Sequence, residues 1–281
     1  LLPLKPTKSF SVWGVRFGGT APLVLIAGPC VVESRDLVLR TAERVQKIAR
    51  RHRMPVVFKS SYKKANRTSS RSFTTIGDEK ALAILAEVRR EFGMPILTDV
   101  HTEREVAMAA EVVDILQIPA FLCRQTDLLQ AAGRTGKAVN IKKGQFAAPA
   151  DMALAAEKVH ETGNARILLT ERGTTFGYNN LVVDMRGLEI MRRTGYPVVL
   201  DATHSVQLPS GASVTSGGQP EFIFPLARAG AAVGINALFV ETHPDPRKAL
   251  SDAASQLKLD LLDALLRQVK AVDAARRATV R

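Results

Sequence analysis

At 281 residues and 46% hydrophobic, the chain has the length and apolar content of one α/β barrel or two ordinary domains with a large core. No apolar run reaches the ~20 residues that span a bilayer, and the opening LLPLKPTKSF is too short and too broken by Pro and Lys for a signal peptide, so the expected location is the cytoplasm, without membrane contact. Two cysteines, Cys30 and Cys123, are too few for a disulfide framework, and a net charge of +12 informs only through its distribution.

The stretch FSVWGVRFGG (10–19) reads as a small hairpin, placed to cap the bottom of a barrel. Short β-branched runs then recur: LVLIAG (23–28), PVVFKS (55–60), MPILTD (94–99), VDILQI (113–118), KAVNIK (137–142), ARILLT (165–170), PVVLDA (197–202) and ALFVET (237–242). Each is nearly all apolar rather than alternating, as expected of parallel strands buried on both faces. Segments with helical spacing lie between them, for example Leu37, Thr41, Val45 and Ile48, or Leu82, Leu85, Val88 and Phe92. Several end in a glycine before the next strand, as in EFGMPIL and RTGYPVV, which is the ordinary helix stop. Eight β/α units predict a single (β/α)8 TIM barrel, one catalytic domain over 1–281 with 1–22 as an N-terminal extension. A doubly wound open sheet is the alternative, but the first strand leads into Gly-Pro-Cys rather than a GxGxxG turn.

The basic surplus falls in three places. KIARRHR (47–53) and RQVKAVDAARRATVR (267–281) alternate with apolar residues at helical spacing and read as solvated helix faces. KSSYKKANR (59–67) has no periodicity and reads as a ligand-binding loop. With aromatics at 5%, stacking platforms for single strands are scarce, and a nucleic-acid partner is not expected.

In a barrel the strand ends and the loops after them line the active face. Those ends carry Cys30, Lys59, Asp99 with His101, Gln117, Lys142, Arg172, Asp201 with His204, and Glu241 with His243. Apolar strands have no packing reason to finish in charge at one end each time, because an unpaired buried charge is costly. Lys59, Lys64, Arg67, Lys142 and Arg172 together suit phosphate and carboxylate oxygens, so the expected substrates are small anionic, phosphorylated molecules. Cys30, His204, Glu241 and a further carboxylate are common ligand types for a borderline divalent ion such as zinc or iron. The scattered spacing does not decide the matter. A structural Cys30 under the rim and a nucleophilic Cys30 with His204 as base both remain open, whereas Cys123 reads as packing.

The motifs IAGPCVVES, KSSYKKANRTSS, TDVH, QIPAFLCRQTDLL, KKGQF, TERGTTFGYNNLVVDMR, DATHSVQLP and ETHPDPRKALSD, in order from about residue 23 to about residue 257, resemble the 3-deoxy-D-manno-octulosonate 8-phosphate synthase family. The resemblance implies a (β/α)8 barrel, usually a homotetramer, that condenses phosphoenolpyruvate with arabinose 5-phosphate for lipopolysaccharide synthesis. Cys at position 30 implies the metal-dependent branch, with Cys30, His204, Glu241 and Asp252 holding a divalent ion such as Zn, Fe, Mn or Co. By the same resemblance Lys59, Lys64, Gln117, Ala120, Lys142 and Arg172 hold phosphoenolpyruvate. Asn66, Arg67, Thr68 and Ser216 hold the sugar phosphate, which Arg124 and Gln125 reach from a neighbouring subunit. Asp252, Asp99 and His101 are candidates for proton handling.

The chain departs from the family beside the sugar site. Lys63 stands where an acid is typical, Thr68 replaces a serine, and RSFTTIGDEK replaces a glycine-rich stretch. The nearest rival is the related synthase that uses erythrose 4-phosphate, which usually carries Lys-Pro-Arg-Thr in place of KANRTS. A Schiff-base aldolase using Lys142 or Lys59, a non-catalytic phosphosugar sensor and a nucleic-acid binder are the others.

Overall fold

Eight apolar strands lie parallel in the computed structural model, which describes residues 7–66, 72–212 and 215–279, without the side chains of 210–212, 215 and 216. They are β1 (Val24–Gly28), β2 (Val56–Lys59), β3 (Ile96–Asp99), β4 (Ile115–Ile118), β5 (Ala138–Lys142), β6 (Ile167–Glu171), β7 (Val198–Asp201) and β8 (Ala237–His243). Each pairs with the next, and β8 pairs back onto β1, so the sheet closes into a barrel. The helices follow in the expected alternation: α1 (Arg35–Arg51), α2 (Asp78–Phe92), α3 (Glu103–Ala110), α4 (Thr126–Arg134), α5 (Met152–His160), α6 (Met185–Arg192), α7 (Ile223–Val233) and α8 (Leu262–Thr279). All eight runs read from the sequence fall on barrel strands.

The continuous apolar character of the strands has a direct cause. Alternate residues such as Val24 and Ile26 point inward, where they meet Val57, Leu97, Ile115, Leu168 and Val199. Their neighbours Leu25 and Ala27 point outward to Val38, Val45, Leu85 and Val88 on the helices. Both faces of each strand are therefore dry, and burial of this aliphatic surface at about 25 cal/mol per Å² is the main stabilising contribution.

Local chemistry sets the helix ends that matter for the mouth. The Ser34 hydroxyl accepts from the Leu37 amide at 3.3 Å and starts α1, while Thr102 does the same for Glu105 at 3.2 Å and starts α3. At the other end of α2, Gly93 adopts φ 60° and ends the helix, as EFGMPIL predicts.

The N-terminal hairpin pairs Phe10–Val12 with Val15–Phe17, turning through Trp13 and Gly14 at φ 48° and 80°. Its Val12, Val15 and Phe17 join the inward cluster formed by the first halves of the strands, so it plugs the barrel bottom. The opposite end is left to polar residues. Two short hairpins that carry no sequence periodicity stand over that end: Thr174–Thr175 with Leu181–Val182 after β6, and Gln207–Ala212 with Thr215–Gly218 after β7. Among the described residues, no helix is long and apolar enough to cross a membrane.

Candidate active site at the barrel mouth

A cavity of about 520 Å³ opens at the carboxyl ends of the strands. Its wall takes Asp99 from β3, Gln117 from β4, Lys142 from β5, Arg172 following β6, His204 following β7 and Glu241 from β8, with Lys64 and Asn66 from the segment after β2. Backbone packing sets the spacing at one side. A Cβ at Gly28 would strike the Lys59 carbonyl, so only glycine allows β1 and β2 to approach where they deliver Cys30 and Lys59.

Beneath the cavity lies a buried polar layer. Ser61 and Gln117 donate to the two oxygens of Asp99, Asn140 donates to Gln117 Oε1 at 2.8 Å, and Thr170 donates to Asn140 Oδ1 at 2.6 Å. Strand residues with no business in an apolar core are thus mutually satisfied, which fixes the floor.

The cations are paired in advance. Lys59 donates to Glu241 and, at 2.9 Å, to the Cys30 carbonyl. Lys142 donates to Asp201 at 2.5 Å, and Lys64 lies 3.5 Å from Asp99 and 3.9 Å from Glu241. Burial opposes ionisation of Asp99 and Glu241, but the surrounding cations prevail. Lys64, Lys59 and Lys142 hold Asp99 far below the carboxylate range, and His204, Lys59 and Lys64 do so for Glu241. Burial lowers Arg172 from its ordinary value, and among the described residues its buried guanidinium nitrogen Nη1 has no hydrogen-bond partner, while Nη2 donates to Gln207 at 2.6 Å. An orphaned guanidinium donor at a cavity wall is a ready anion ligand.

Next to this arc, Cys30 Sγ and carboxylate oxygens of Glu241 and Asp252 lie within 4.8 Å of one another. The Cys30 thiol donates to Ser251 Oγ at 3.0 Å and to Asp252 Oδ2 at 3.1 Å. Burial pushes this thiol well above its ordinary value, and the charges of Asp252 and Glu241 push it further. His204, expected from the resemblance as a fourth ligand, stands outside that three-residue group but beside it, with Nε2 3.7 Å from Glu241 Oε2 and Nδ1 2.6 Å from Asp201 Oδ2. Asp252 sits at φ 48°, a backbone conformation unfavourable for a non-glycine residue and held here by its surroundings. Sulfur and carboxylate donors at this separation, with an imidazole nitrogen alongside, fit a borderline divalent cation.

A profile of the DAHP synthetase I family matches residues 3–277. The chain is 55% identical over 268 residues to the 2-dehydro-3-deoxyphosphooctonate aldolase of Geobacter sulfurreducens, covering 95% of this chain and 98% of that one. The enzymes of the same name from Geotalea uraniireducens and Syntrophotalea carbinolica are 56% and 57% identical, covering 95% of this chain and 98% and 96% of theirs. The chain belongs to the DAHP synthetase I family. The resemblance read from its loops is borne out, since these relatives carry another name for the octulosonate 8-phosphate synthase.

Among the residues that the motifs of this DAHP synthetase I family chain single out, Lys64, Asn66, Asp99, His101, Gln117, Ala120, Lys142, Arg172, His204, Glu241 and Asp252 line this cavity. Lys59 lies below it, buried against Glu241, and Cys30 lies behind Asp252. Arg124 and Gln125 are exposed outside the lining, and the Arg124 carbonyl accepts from Lys158 at 2.9 Å. Arg67, Thr68 and the Ser216 side chain lie outside the described residues.

Sequence reasoning passes over several participants. Gln145 lines the cavity from a loop and Gln207 from the start of a mouth hairpin, and Asn140 and Thr170 form the floor from inside strands read as apolar. Asp201, a strand end to which the sequence assigns no role, joins Lys142 to His204. The available signal is polarity inside NIK, LLT and VLD, which a purely apolar strand would not show.

Proposed function

We propose that this protein is a 3-deoxy-8-phosphooctulonate synthase that condenses phosphoenolpyruvate with D-arabinose 5-phosphate. The products are 3-deoxy-D-manno-octulosonate 8-phosphate, a lipopolysaccharide precursor, and inorganic phosphate. The observation that carries the reading is one cavity lined by the cations Lys64, Lys142 and Arg172 and by Glu241 and Asp252, two members of a donor set that Cys30 completes from behind the wall.

Bringing two anionic substrates into one pocket demands fixed positive charge, and here that charge sits on residues already oriented by Asp99 and Asp201. Lys64, Gln117, Ala120, Lys142 and Arg172 hold phosphoenolpyruvate, with Lys59 supporting them from below through Glu241. Asn66, Arg67, Thr68 and Ser216 hold the sugar phosphate. In the condensation, C3 of phosphoenolpyruvate bonds to the aldehyde carbon while water adds at C2. The resulting hemiketal phosphate then breaks its C–O bond and releases phosphate. His101 stands at the wall to accept or return a proton at Nε2, and Asp252 does so beside Cys30, whereas Asp99, expected from the sequence to share that work, is held ionised by Lys64, Lys59 and Lys142 and instead orients Lys64.

Cys30, His204, Glu241 and Asp252 would hold a divalent ion, which when bound supplies Lewis acidity toward water or the aldehyde. Asp201 fixes the His204 ring so that Nε2 carries the lone pair. The chain acts as one barrel domain in a cytoplasmic homotetramer, with exposed Arg124 and Gln125 serving the site of a neighbouring subunit.

The test is phosphate release from phosphoenolpyruvate with arabinose 5-phosphate, erythrose 4-phosphate or ribose 5-phosphate, before and after chelation and with single ions restored. Turnover led by arabinose 5-phosphate, lost on chelation and recovered with metal, is the expected result. Preference for erythrose 4-phosphate, or full activity in metal-free protein, overturns the corresponding half of the reading. Borohydride trapping of Lys142 or Lys59 with pyruvate would replace it by Schiff-base chemistry.

A further inference from the structure

Lys63 adjoins Lys64 in KSSYKKANR, and its surroundings answer its charge. It follows β2 in an irregular segment, beside Lys64, which is buried in the cavity wall. Lys63 turns the other way, toward the helices. Its Nζ lies 3.1 Å from Glu105 Oε1 on α3 and 3.5 Å from Asp78 Oδ2 at the start of α2.

Glu105 is almost fully buried and uses both oxygens. Oε1 takes Lys63, while Oε2 accepts from the His101 backbone amide at 2.9 Å and lies 2.7 Å from His101 Nδ1. His101 lines the cavity, so its ring stands between Glu105 and the bound substrates. We propose that Lys63 and Glu105 are positioning residues for the reaction: Glu105 fixes the ring of His101 with Nε2 offered to the aldose phosphate, and Lys63 ties that clamp to the segment carrying Lys64 and Asn66.

Three features support this assignment. An ionised Glu105 can only accept, so it demands the proton on Nδ1 and leaves Nε2 as the acceptor facing the cavity. Burial opposes that ionisation, but His101 first, then the Tyr62 hydroxyl and Lys63, hold the carboxyl at about 2, so the acceptor state is the resting one. The same segment is fastened from its other side, where Thr75 donates to the Tyr62 carbonyl at 3.0 Å and Lys64 donates its amide to the Thr74 carbonyl at 2.9 Å. Lys63 thus closes a frame around the sugar-binding side, and the residues that hold phosphoenolpyruvate from the far strands do not depend on it.

The kinetic arm of the test rests on the condensation proposed above, and the spectroscopic arm does not. Lys63→Met is expected to raise KM for arabinose 5-phosphate about tenfold, the loss of one charge-assisted hydrogen bond, and to raise KM for phosphoenolpyruvate by clearly less, since of its ligands only Lys64 sits on this segment. Glu105→Gln is expected to raise the same KM at least as much and to lower kcat. The double variant should be no worse than Glu105→Gln alone, because both act through one carboxylate. Lys63→Arg should restore most of the loss. Nitrogen NMR of the imidazoles should find His101 as the Nδ1–H tautomer in the wild-type protein, and as a mixture in Glu105→Gln.

Equal increases in both KM values, effects that multiply in the double variant, or an Nε2–H tautomer in the wild-type protein overturn the assignment. Failure of the wild-type protein to release phosphate with arabinose 5-phosphate would overturn the functional reading instead. The tautomer measurement then decides this inference alone, and it needs no variant to fold.

Discussion

Nδ1 of His204 lies 2.6 Å from Oδ2 of Asp201, a carboxylate wholly shielded from water. Asp201 also accepts from Lys142 at 2.5 Å, and its other oxygen takes the Thr203 hydroxyl at 3.0 Å and the His204 amide at 2.8 Å. Burial opposes its charge, yet His204 and Lys142 hold it well below the carboxylate range. One side chain therefore fixes both a candidate metal ligand and a candidate phosphoenolpyruvate ligand.

Asp201→Asn should break this coupling. The amide can present its nitrogen to Nδ1 and favour the wrong tautomer, turning the Nε2 lone pair away from the ligand role. Metal affinity should fall by about tenfold to a hundredfold. Competition with a chromophoric chelator reads that loss directly, whatever the activity does.

Removing Cys30 tests the donor set itself. Cys30→Ser should leave the fold intact, since the thiol is small and its neighbours Ser251 and Asp252 can bond a hydroxyl. Metal content after gel filtration should drop from about one ion per chain to near none, because the hydroxyl does not ionise as the thiolate does. Retention of a full complement of metal by Cys30→Ser would remove Cys30 from the site.

Glu105 gives a pH dependence with a definite sign. Burial favours its neutral form, but His101, then Tyr62 and Lys63, win and hold it at about 2, below the ordinary value of 4.5. A depressed folded-state value means stability present above about pH 4.5 and lost progressively as pH falls toward 2. Solvent screening from the neighbouring cavity limits the contribution to about 1–2 kcal/mol. Urea unfolding of wild type and Glu105→Gln should show that gap at pH 6 and a smaller one at pH 3.5. A gap that widens in acid would contradict the arrangement.

The barrel was legible because its signal is repeated. Each of the eight strands is mostly apolar on both faces, and one hairpin, with Trp13 and Gly14 at positive φ, fills the end opposite the cavity. Strand ends such as Asp99, Lys142 and Glu241 were legible for the same reason, since charge recurs at one end of otherwise dry strands. Convergence was not legible. Nothing in the spacing of Cys30, Glu241 and Asp252 says that their donor atoms lie within 4.8 Å, and that reading comes from resemblance. Lys63 and Glu105 were hidden for a different reason: each looks like a surface residue until the loop after β2 and α3 are brought together. Of the two mouth hairpins, the one after β6 has strands of two residues, too short to show alternation, and the one after β7 reads QLPSGA and TSGG, whose Pro, Ser and Gly look like a loop.

Lys143 is the most demanding case of buried charge in the barrel. It is completely buried, lies 3.3 Å from Glu171 Oε1, and donates to Thr174 Oγ1 at 2.9 Å and to the Gly173 carbonyl at 3.4 Å. Glu171 in turn accepts from the backbone amides of Arg172 at 2.9 Å and Gly173 at 2.7 Å. The pair therefore joins the end of β5, which carries Lys142, to the turn that aims Arg172. Lys143→Met should destabilise the protein by about 3 kcal/mol, because it leaves a buried carboxylate without its cation. Adding Glu171→Gln should recover part of that loss, since the amide needs no counter-charge. Denaturant unfolding of the three variants measures the recovery. Where the doubly substituted protein is no more stable than Lys143→Met, the pair is not the element that holds the two loops together.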